Sequence, residues 1–221
     1  MKNLINFLNN IDESLIDDNK LEQFEVYYEM LIEKNKVMNL TAITDRDEVI
    51  LKHFTDSIID VGTGAGFPGI PLKIIFPKLQ VTLFDSLNKR IIFLQEVIDE
   101  LNLKDIEAVH GRAEEGGQNK KMRESYDIAV SRAVANLAVL SEYCLPFVKE
   151  GGYFIPYKTA EIDEELDNAK KAISILGGKT KKIEKLDISG LGRSFVFIEK
   201  IKATPKTYPR KPGTANKQPL I

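Results

Sequence analysis

The residues best suited to chemistry lie in the run Asp60-Val61-Gly62-Thr63-Gly64-Ala65-Gly66-Phe67-Pro68-Gly69, which follows a short apolar stretch and leads into a helical pattern at Ile70–Phe76. Glycines let the backbone turn sharply and let a ligand lie against bare main chain. The helix N-terminus behind them adds free N–H groups and a partial positive charge. Pro68 suits a first helical turn, where its missing N–H is not used. Asp85 ends the next apolar stretch, Val81–Phe84. A carboxylate there can accept from a ribose diol, cap the helix that starts near Lys89, or do both. The combination predicts a pocket for a nucleoside-containing cofactor.

Two cofactor classes compete for this loop. Gly64, Gly66 and Gly69, with Asp85 about 20 residues further on, satisfy the dinucleotide fingerprint and would suit an NAD-linked oxidoreductase. Asp60 and Gly62 stand directly before that fingerprint, so a carboxylate ends the strand and a glycine takes the first loop position. This D-x-G-x-G-x-G order is the usual opening of methyltransferases, in which the carboxylate helps to order the methionine end of S-adenosylmethionine. It is the preferred reading here.

The elements that position the loop follow from periodicity. Between Lys2 and Lys36, Leu4, Phe7, Leu8 and Ile11, then Leu21, Phe24, Tyr28, Leu31 and Ile32, recur at helical spacing. Asp45 to Ser57 gives a third helix, with Asp45 and Asp47 in its first turn. From Ile58 onward strands and helices alternate. Strands are expected at Ile58–Val61, Val81–Phe84, Ile106–His110, Tyr126–Ser131 and Gly152–Tyr157. Helices are expected at Ile70–Phe76, Lys89–Leu101, Leu137–Val148 and Ile162–Leu176. Such alternation implies an α/β fold with a mostly parallel sheet covered on both faces. Two last strands, Lys179–Leu186 and Ser194–Ile201, joined through Ser189-Gly190-Leu191-Gly192, predict an antiparallel hairpin at the sheet edge. The domain reading is a helical extension over residues 1–57, a cofactor-binding core over 58–202 and a basic, proline-rich tail over 203–221. One junction is anomalous: Asp56-Ser57-Ile58 passes from helix to strand without turn residues, whereas connections are commonly about 4–6 residues. A flexible loop is expected to be missing there.

Composition narrows the class. A chain of 221 residues, 43% hydrophobic, can bury one substantial core. The single cysteine, Cys144, cannot form an internal disulfide, and no apolar run has the length of a signal peptide or a membrane span. A cytoplasmic protein is expected, without a membrane partner and monomeric. A net charge of −2 argues against a surface that grips nucleic acid everywhere. Basic character is local: from Lys200 to Ile221 there are six Lys or Arg and no acid, among Pro205, Pro209, Pro212 and Pro219. This tail is expected to be extended and not helical, either as a solvated terminus or as a phosphate-binding surface.

Further motifs, in order along nearly the whole chain, carry a specific resemblance. They are Met38-Asn39-Leu40-Thr41-Ala42, His53-Phe54-Thr55-Asp56-Ser57, Asp60 to Leu72, and Phe84-Asp85-Ser86 with Lys89-Arg90. Arg112-Ala113-Glu114-Glu115, Ser131-Arg132-Ala133-Val134-Ala135 and Tyr208-Pro209-Arg210-Lys211-Pro212-Gly213 complete the set. Together they resemble the bacterial 16S ribosomal RNA guanine-nitrogen-7 methyltransferases once called glucose-inhibited division protein B. The resemblance departs at the junction noted above, where that family has a linker, and at Thr159, where it usually has glycine.

The resemblance implies a Rossmann-like class I methyltransferase fold with N-terminal helices, S-adenosylmethionine as cofactor and S-adenosylhomocysteine as product. The implied substrate is a guanine of 16S ribosomal RNA, in the 530 loop, presented by the bare RNA or the small subunit. It also implies cofactor contacts at Gly62, Phe67, the Ala113-Glu114 pair and Arg132. All these positions lie at carboxyl ends of expected parallel strands, where open sheets bind ligands. Glu114 can accept from an adenine amino group, or be a solvated helix-start acid. Arg132 can pair with the methionine carboxylate, hold a target phosphate, or form a structural ion pair. Asp60, Gly64, Gly66 and Asp85 complete the expected cofactor set.

Nitrogen 7 of guanine carries a free lone pair, so methyl transfer to it needs no base; alignment and exclusion of water should suffice. Neither a catalytic triad nor a metal site is expected. Asn39, His53, Arg132 and Lys158 are the candidates at the reacting centre. His53 and Asp56 share a helical face, and either look into the cleft or bond each other. Arg193, Arg210 and Lys211 are the candidate RNA contacts. A non-catalytic ribosome-assembly factor of the same fold is the remaining alternative.

Overall fold

In the computed structural model the described residues are 17–38, 57–132, 135–188 and 191–221. A first helix, α1 (Asp18–Met38), precedes an alternating series. The series begins β1 (Ser57–Val61), α2 (Gly69–Ile75), β2 (Gln80–Asp85), α3 (Asn88–Glu100) and β3 (Ile106–His110). It continues α4 (Ala113–Gly116), β4 (Tyr126–Arg132), α5 (Leu137–Cys144), a 3-10 turn (Leu145–Phe147), β5 (Val148–Thr159) and α6 (Asp163–Ile175). It closes with β6 (Gly178–Ile188), β7 (Leu191–Lys200) and α7 (Thr214–Lys217). The seven strands form one sheet in the order β3-β2-β1-β4-β5-β7-β6. Strands β1 to β5 pair in parallel, and β7 runs antiparallel to both of its neighbours. This is the mostly parallel sheet with a terminal antiparallel hairpin that the alternation and the last two expected strands predict.

Strand β1 shows why the sheet sits at the centre. Ile58 faces a core containing Phe24, Ile70, Leu83, Phe93 and Leu94, while Ile59 and Val61 face a second core with Leu140, Phe147, Phe154 and Ile198. A strand buried on both faces reads as a continuous apolar run, as Ser-Ile-Ile-Asp-Val does, which makes its one acid conspicuous. The sheet changes direction of travel at β1, with β2 on one side and β4 on the other. Ligands of open α/β sheets bind outside the carboxyl ends at such a switch point.

Several boundaries differ from the sequence reading. The helix expected over Leu137–Val148 ends at Cys144, because Pro146 in the following 3-10 turn cannot continue the α-helical hydrogen bonds, and Val148 already belongs to β5. In α1 the buried stripe is Phe24, Tyr27 and Leu31, while Ile32 is 44% exposed and Tyr28 is half-buried. This stripe packs α1 on α2, with Gln23 bonded to the Leu101 carbonyl at the end of α3 and Lys34 paired with Glu96. Leu191 and Gly192, expected in the hairpin connection, are already in β7. The expected helix before Asp17 lies outside the described residues, as does the helix expected over Asp45–Ser57 except for its last residue, Ser57, which instead begins β1.

The largest departure is the tail. It is not a loose terminus, and it contains the short helix α7. Lys200, counted among its basic residues, is fully buried and donates to Glu124 Oε1 at 3.0 Å and to the Leu145 and Val148 carbonyls at 2.8 and 3.0 Å. Arg123 donates to the Tyr208 and Thr204 carbonyls at 2.8 and 2.7 Å, and Gln118 to those of Lys206 and Pro209. Sequence alone places charged side chains outside; here the half-buried Arg123 supplies donors to backbone carbonyls of the proline-rich segment, and the buried Lys200 serves Glu124 and two carbonyls flanking the 3-10 turn. We expect Lys200→Ala to cost about 3 kcal/mol in urea denaturation, since it leaves two buried carbonyls without that donor and takes the ammonium from Glu124, which keeps the Thr204 amide. A loss below about 1 kcal/mol would show that the tail is anchored elsewhere.

Candidate functional site

The glycine loop leaves β1 with three residues in the left-handed region: Gly62 at φ 73°, Gly64 at 64° and Gly66 at 103°. Two of these glycines have distinct reasons. A side chain at Gly66 would begin 2.5 Å from Ile70 Cδ1, so the loop can pack on its helix only without one. At Gly64 an added Cβ would meet nothing closer than the Gly62 carbonyl at 4.0 Å, so its bare backbone faces open space that a ligand can enter.

Asp60 lies beneath the loop and is wholly buried. Its Oδ2 accepts from Thr63 Oγ1 at 2.6 Å and from the Gly69 amide at 2.9 Å. Its Oδ1 is buried with no hydrogen-bond partner. Burial pushes the carboxyl up to about 7, against the opposing pull of those two hydrogen bonds and of Arg132. An acceptor left open in this way fits a donor brought by a ligand, above all a cationic ammonium. Asp85, at the end of β2, accepts from the Gly64 amide at 3.0 Å, the Leu87 amide at 2.9 Å and Arg90 at 3.1 Å. It therefore braces the glycine loop and the turn into α3 together. A ribose hydroxyl could add to its remaining lone-pair direction.

Around the loop the structure brings together residues from distant parts of the chain. Arg132, the last residue of β4, lies over the Phe67 ring with 4.7 Å to its centroid, and Phe67 in turn meets Tyr27 at 5.4 Å. The Tyr27 hydroxyl donates to the Ala65 carbonyl at 2.8 Å, and burial pushes its pKa well above the ordinary value. Tyr27 was missed by sequence reasoning, although it stands three residues after Phe24 and four before Leu31. That spacing signals a buried hydroxyl in need of an acceptor. Ser131 Oγ donates to the Val61 carbonyl at 2.7 Å and locks β4 to β1 beside the loop.

Lys158, at the end of β5, donates to the Ala135 carbonyl and to Glu165 Oε1, each at 2.6 Å. Glu165 Oε1 also accepts from the Leu137 amide. An ammonium held this way fixes the loop between β4 and α5. Arg193 in β7 pairs with Thr159 of β5, so it stands at the same carboxyl rim. Ala113 and Glu114 open α4, and Glu114 is buried with Oε1 accepting from the Gly213 amide at 2.9 Å. The solvated-acid alternative for Glu114 is thereby excluded. Lys211 is exposed. Arg210, expected to face RNA, is turned inward: Nε and Nη2 grip both oxygens of Glu142, a residue 1% exposed, with the shortest contact at 2.7 Å. Charge pairing with a buried acid draws it in, and nothing in its sequence neighbourhood foretells that partner. Asn39 and His53 lie outside the described residues. Among the described residues no group of three or more His, Cys, Asp or Glu is placed to hold a metal, and no helix is long and apolar enough to cross a membrane.

Comparison with known proteins bears on this geometry. The profile of the family described as GidB, rRNA small subunit methyltransferase G, matches residues 20–193. Proteins named ribosomal RNA small subunit methyltransferase G are 56% identical in Alkaliphilus metalliredigens, over 93% of this chain and 92% of the relative. In Bacillus subtilis the identity is 53%, over 91% of each. Among solved structures, M. jannaschii TYW2 in complex with AdoMet superposes with a TM-score of 0.53 at 17% identity, over 78% of this chain and 77% of that one. P. horikoshii TYW2 in complex with MeSAdo gives 0.52 at 15%, over 65% and 56%. At these identities the two structures speak for the fold alone.

The buried carboxyl makes stability depend on pH in a definite direction. Because the folded state holds the Asp60 proton more tightly than an unfolded chain, with its ordinary value of 3.8, this group favours folding fully below about pH 4. That contribution is lost as pH rises to about 7. Calorimetric melting of the ligand-free protein between about pH 5 and about pH 8 should fall more steeply for the native chain than for Asp60→Asn, which should melt higher at the upper end. Parallel curves would mean that Asp60 is not strained by its burial.

Proposed function

The chain belongs to the rRNA small subunit methyltransferase G family, and from that premise we propose that it methylates nitrogen 7 of a guanine in the 530 loop of 16S ribosomal RNA. It is an S-adenosylmethionine-dependent methyltransferase of small-subunit rRNA; the position on the base and the loop are the finer part of the reading. The NAD-linked alternative gives way to the family assignment. The observation that carries the site assignment is the partnerless Asp60 Oδ1 beneath a loop whose Gly64 faces open space.

In this reading the bound cofactor supplies a sulfonium methyl that an electron pair can attack directly. Asp60 Oδ1 accepts from the ammonium of the methionine portion. Gly62 and Gly64 offer bare backbone, Asp85 takes a ribose hydroxyl, and Ala113 and Glu114 receive the adenine. Gly66 keeps the loop against α2. Arg132, stacked on Phe67, binds the methionine carboxylate or the target phosphate. Nitrogen 7 needs no proton removed, so what the protein contributes is alignment and a dry approach. Asn39 and His53 stay in the proposal as candidates at the reacting centre, and Lys158 as the anchor of Ala135.

The guanine is reached most easily where RNA is unpaired, because nitrogen 7 lies on the major-groove edge. Arg193 and Lys211 are the proposed phosphate contacts. The partner is 16S RNA or the small ribosomal subunit, met in the cytoplasm by a monomer.

The deciding experiment is transfer of labelled methyl to unmethylated small subunits and to bare 16S RNA, followed by nucleoside analysis. We expect label in 7-methylguanosine. Label in another nucleoside would correct the target atom, and cofactor binding without transfer would revive the assembly-factor alternative. Cofactor affinity should weaken below about pH 7 as Asp60 protonates, since a protonated carboxyl no longer attracts a cation. Asp60→Asn should weaken binding and remove that dependence. A pH-independent affinity in the native chain would detach Asp60 from the methionine end.

A further inference from the structure

The carboxyl-terminal segment travels from one edge of the sheet to the other. β7 is antiparallel, so it ends at the amino-terminal edge of the parallel strands, where Lys200 and Thr204 meet Glu124. The chain then returns past α4 and α5 until Gly213 reaches Glu114, at the carboxyl rim that holds the cofactor site. Pro209 packs so closely on Gly117 that a side chain there would begin 2.8 Å from the Pro209 Cγ. Among the described residues, the ion pair that fixes the second half of this strap is that of Arg210 with Glu142 in α5. Glu142 Oε1 accepts from both the backbone amide and Nε of Arg210, at 2.8 and 2.9 Å, and Nη2 reaches Oε2 and the Gln218 carbonyl.

One strap atom meets the Glu114 carboxylate and a second meets its neighbour. The Gly213 amide donates to Glu114 Oε1, and Asn216 Nδ2 donates to the Tyr143 hydroxyl at 3.0 Å. The Tyr143 pKa is pushed up to about 12 by burial and by the nearby Glu114 and Glu142. A carboxylate has about four lone-pair directions, so the Gly213 bond constrains its orientation and leaves acceptors for the cofactor. Gly213 sits at φ 80°, a conformation that aims its amide at Glu114 and that side-chain-bearing residues resist.

We propose that Glu142 and Arg210 are positioning residues for S-adenosylmethionine: through the strap they orient Glu114 toward the adenine. The inference rests on the reading of Glu114 as a cofactor contact. It assigns Arg210 to cofactor affinity instead of RNA affinity.

The test compares Glu114→Gln, Arg210→Ala and Gly213→Ala in the full-length protein, by calorimetric titration with S-adenosylhomocysteine and by steady-state methylation. Gly213→Ala adds one carbon at a half-buried position with nothing within 4 Å of it, so its effect is the strain of a side chain at φ 80°, and it keeps the question open if Arg210→Ala fails to fold. We expect both strap variants to weaken product binding and raise KM for S-adenosylmethionine about three- to tenfold, the scale of one oriented hydrogen bond. The kcat at saturating cofactor and KM for RNA should stay within about twofold. If Glu114→Gln weakens binding while folded strap variants bind as the native chain does, the strap does not position the site and this inference falls alone. A raised KM for RNA with unchanged product affinity in Arg210→Ala would overturn it in favour of direct RNA contact. Unchanged product affinity in Glu114→Gln would overturn the cofactor role of Glu114 and the inference with it.

Discussion

A carboxylate buried at the end of the central strand, with one oxygen satisfied twice and the other not at all, is the constraint around which this fold is arranged. Asp60 is flanked by Ile59 and Val61 in a strand covered on both faces, where an ionised group is disfavoured. Thr63 and the Gly69 amide partly compensate, and both belong to the loop that the carboxylate organises. No described residue donates to the remaining oxygen. Binding sites commonly carry such local strain, tolerated because the surrounding packing over-determines it.

That packing comes from both sides of the sheet. On one side α1 delivers Tyr27 to the Ala65 carbonyl and to the Phe67 ring, under the Arg132 guanidinium. On the other side α4 and α5 present Glu114, Glu142 and Tyr143 to the returning carboxyl-terminal strap. The loop is thus braced by Asp85 from within its own sheet and by a helix contributed from outside the alternating core. A flexible glycine loop gains a defined shape only when neighbours of this kind hold it.

The basic residues near the carboxyl terminus have divided roles. Lys200 and Arg210 neutralise buried or half-buried acids, while Lys211 stays exposed at the rim beside the site. A cation paired with a buried acid is costly to remove, because the acid is then left uncompensated. The same composition read as a basic tail therefore serves both to close the fold and to present charge.

Much of the molecule was legible before any coordinates. Strand-helix alternation, the D-x-G-x-G-x-G loop and Asp85 depend on local rules of periodicity, turn chemistry and strand ends, and those rules place them correctly at the switch point of the sheet. The final hairpin was equally local. What only the tertiary structure decided were partnerships between residues far apart in the chain: Tyr27 with Ala65, Lys158 with Ala135, Arg210 with Glu142, and Glu114 with Gly213. Sequence pattern reports which face of an element is apolar, but a buried polar group chooses its partner by proximity after folding. For that reason the cofactor loop could be read from its residues, whereas the docking of the tail and the inward turn of Arg210 could not.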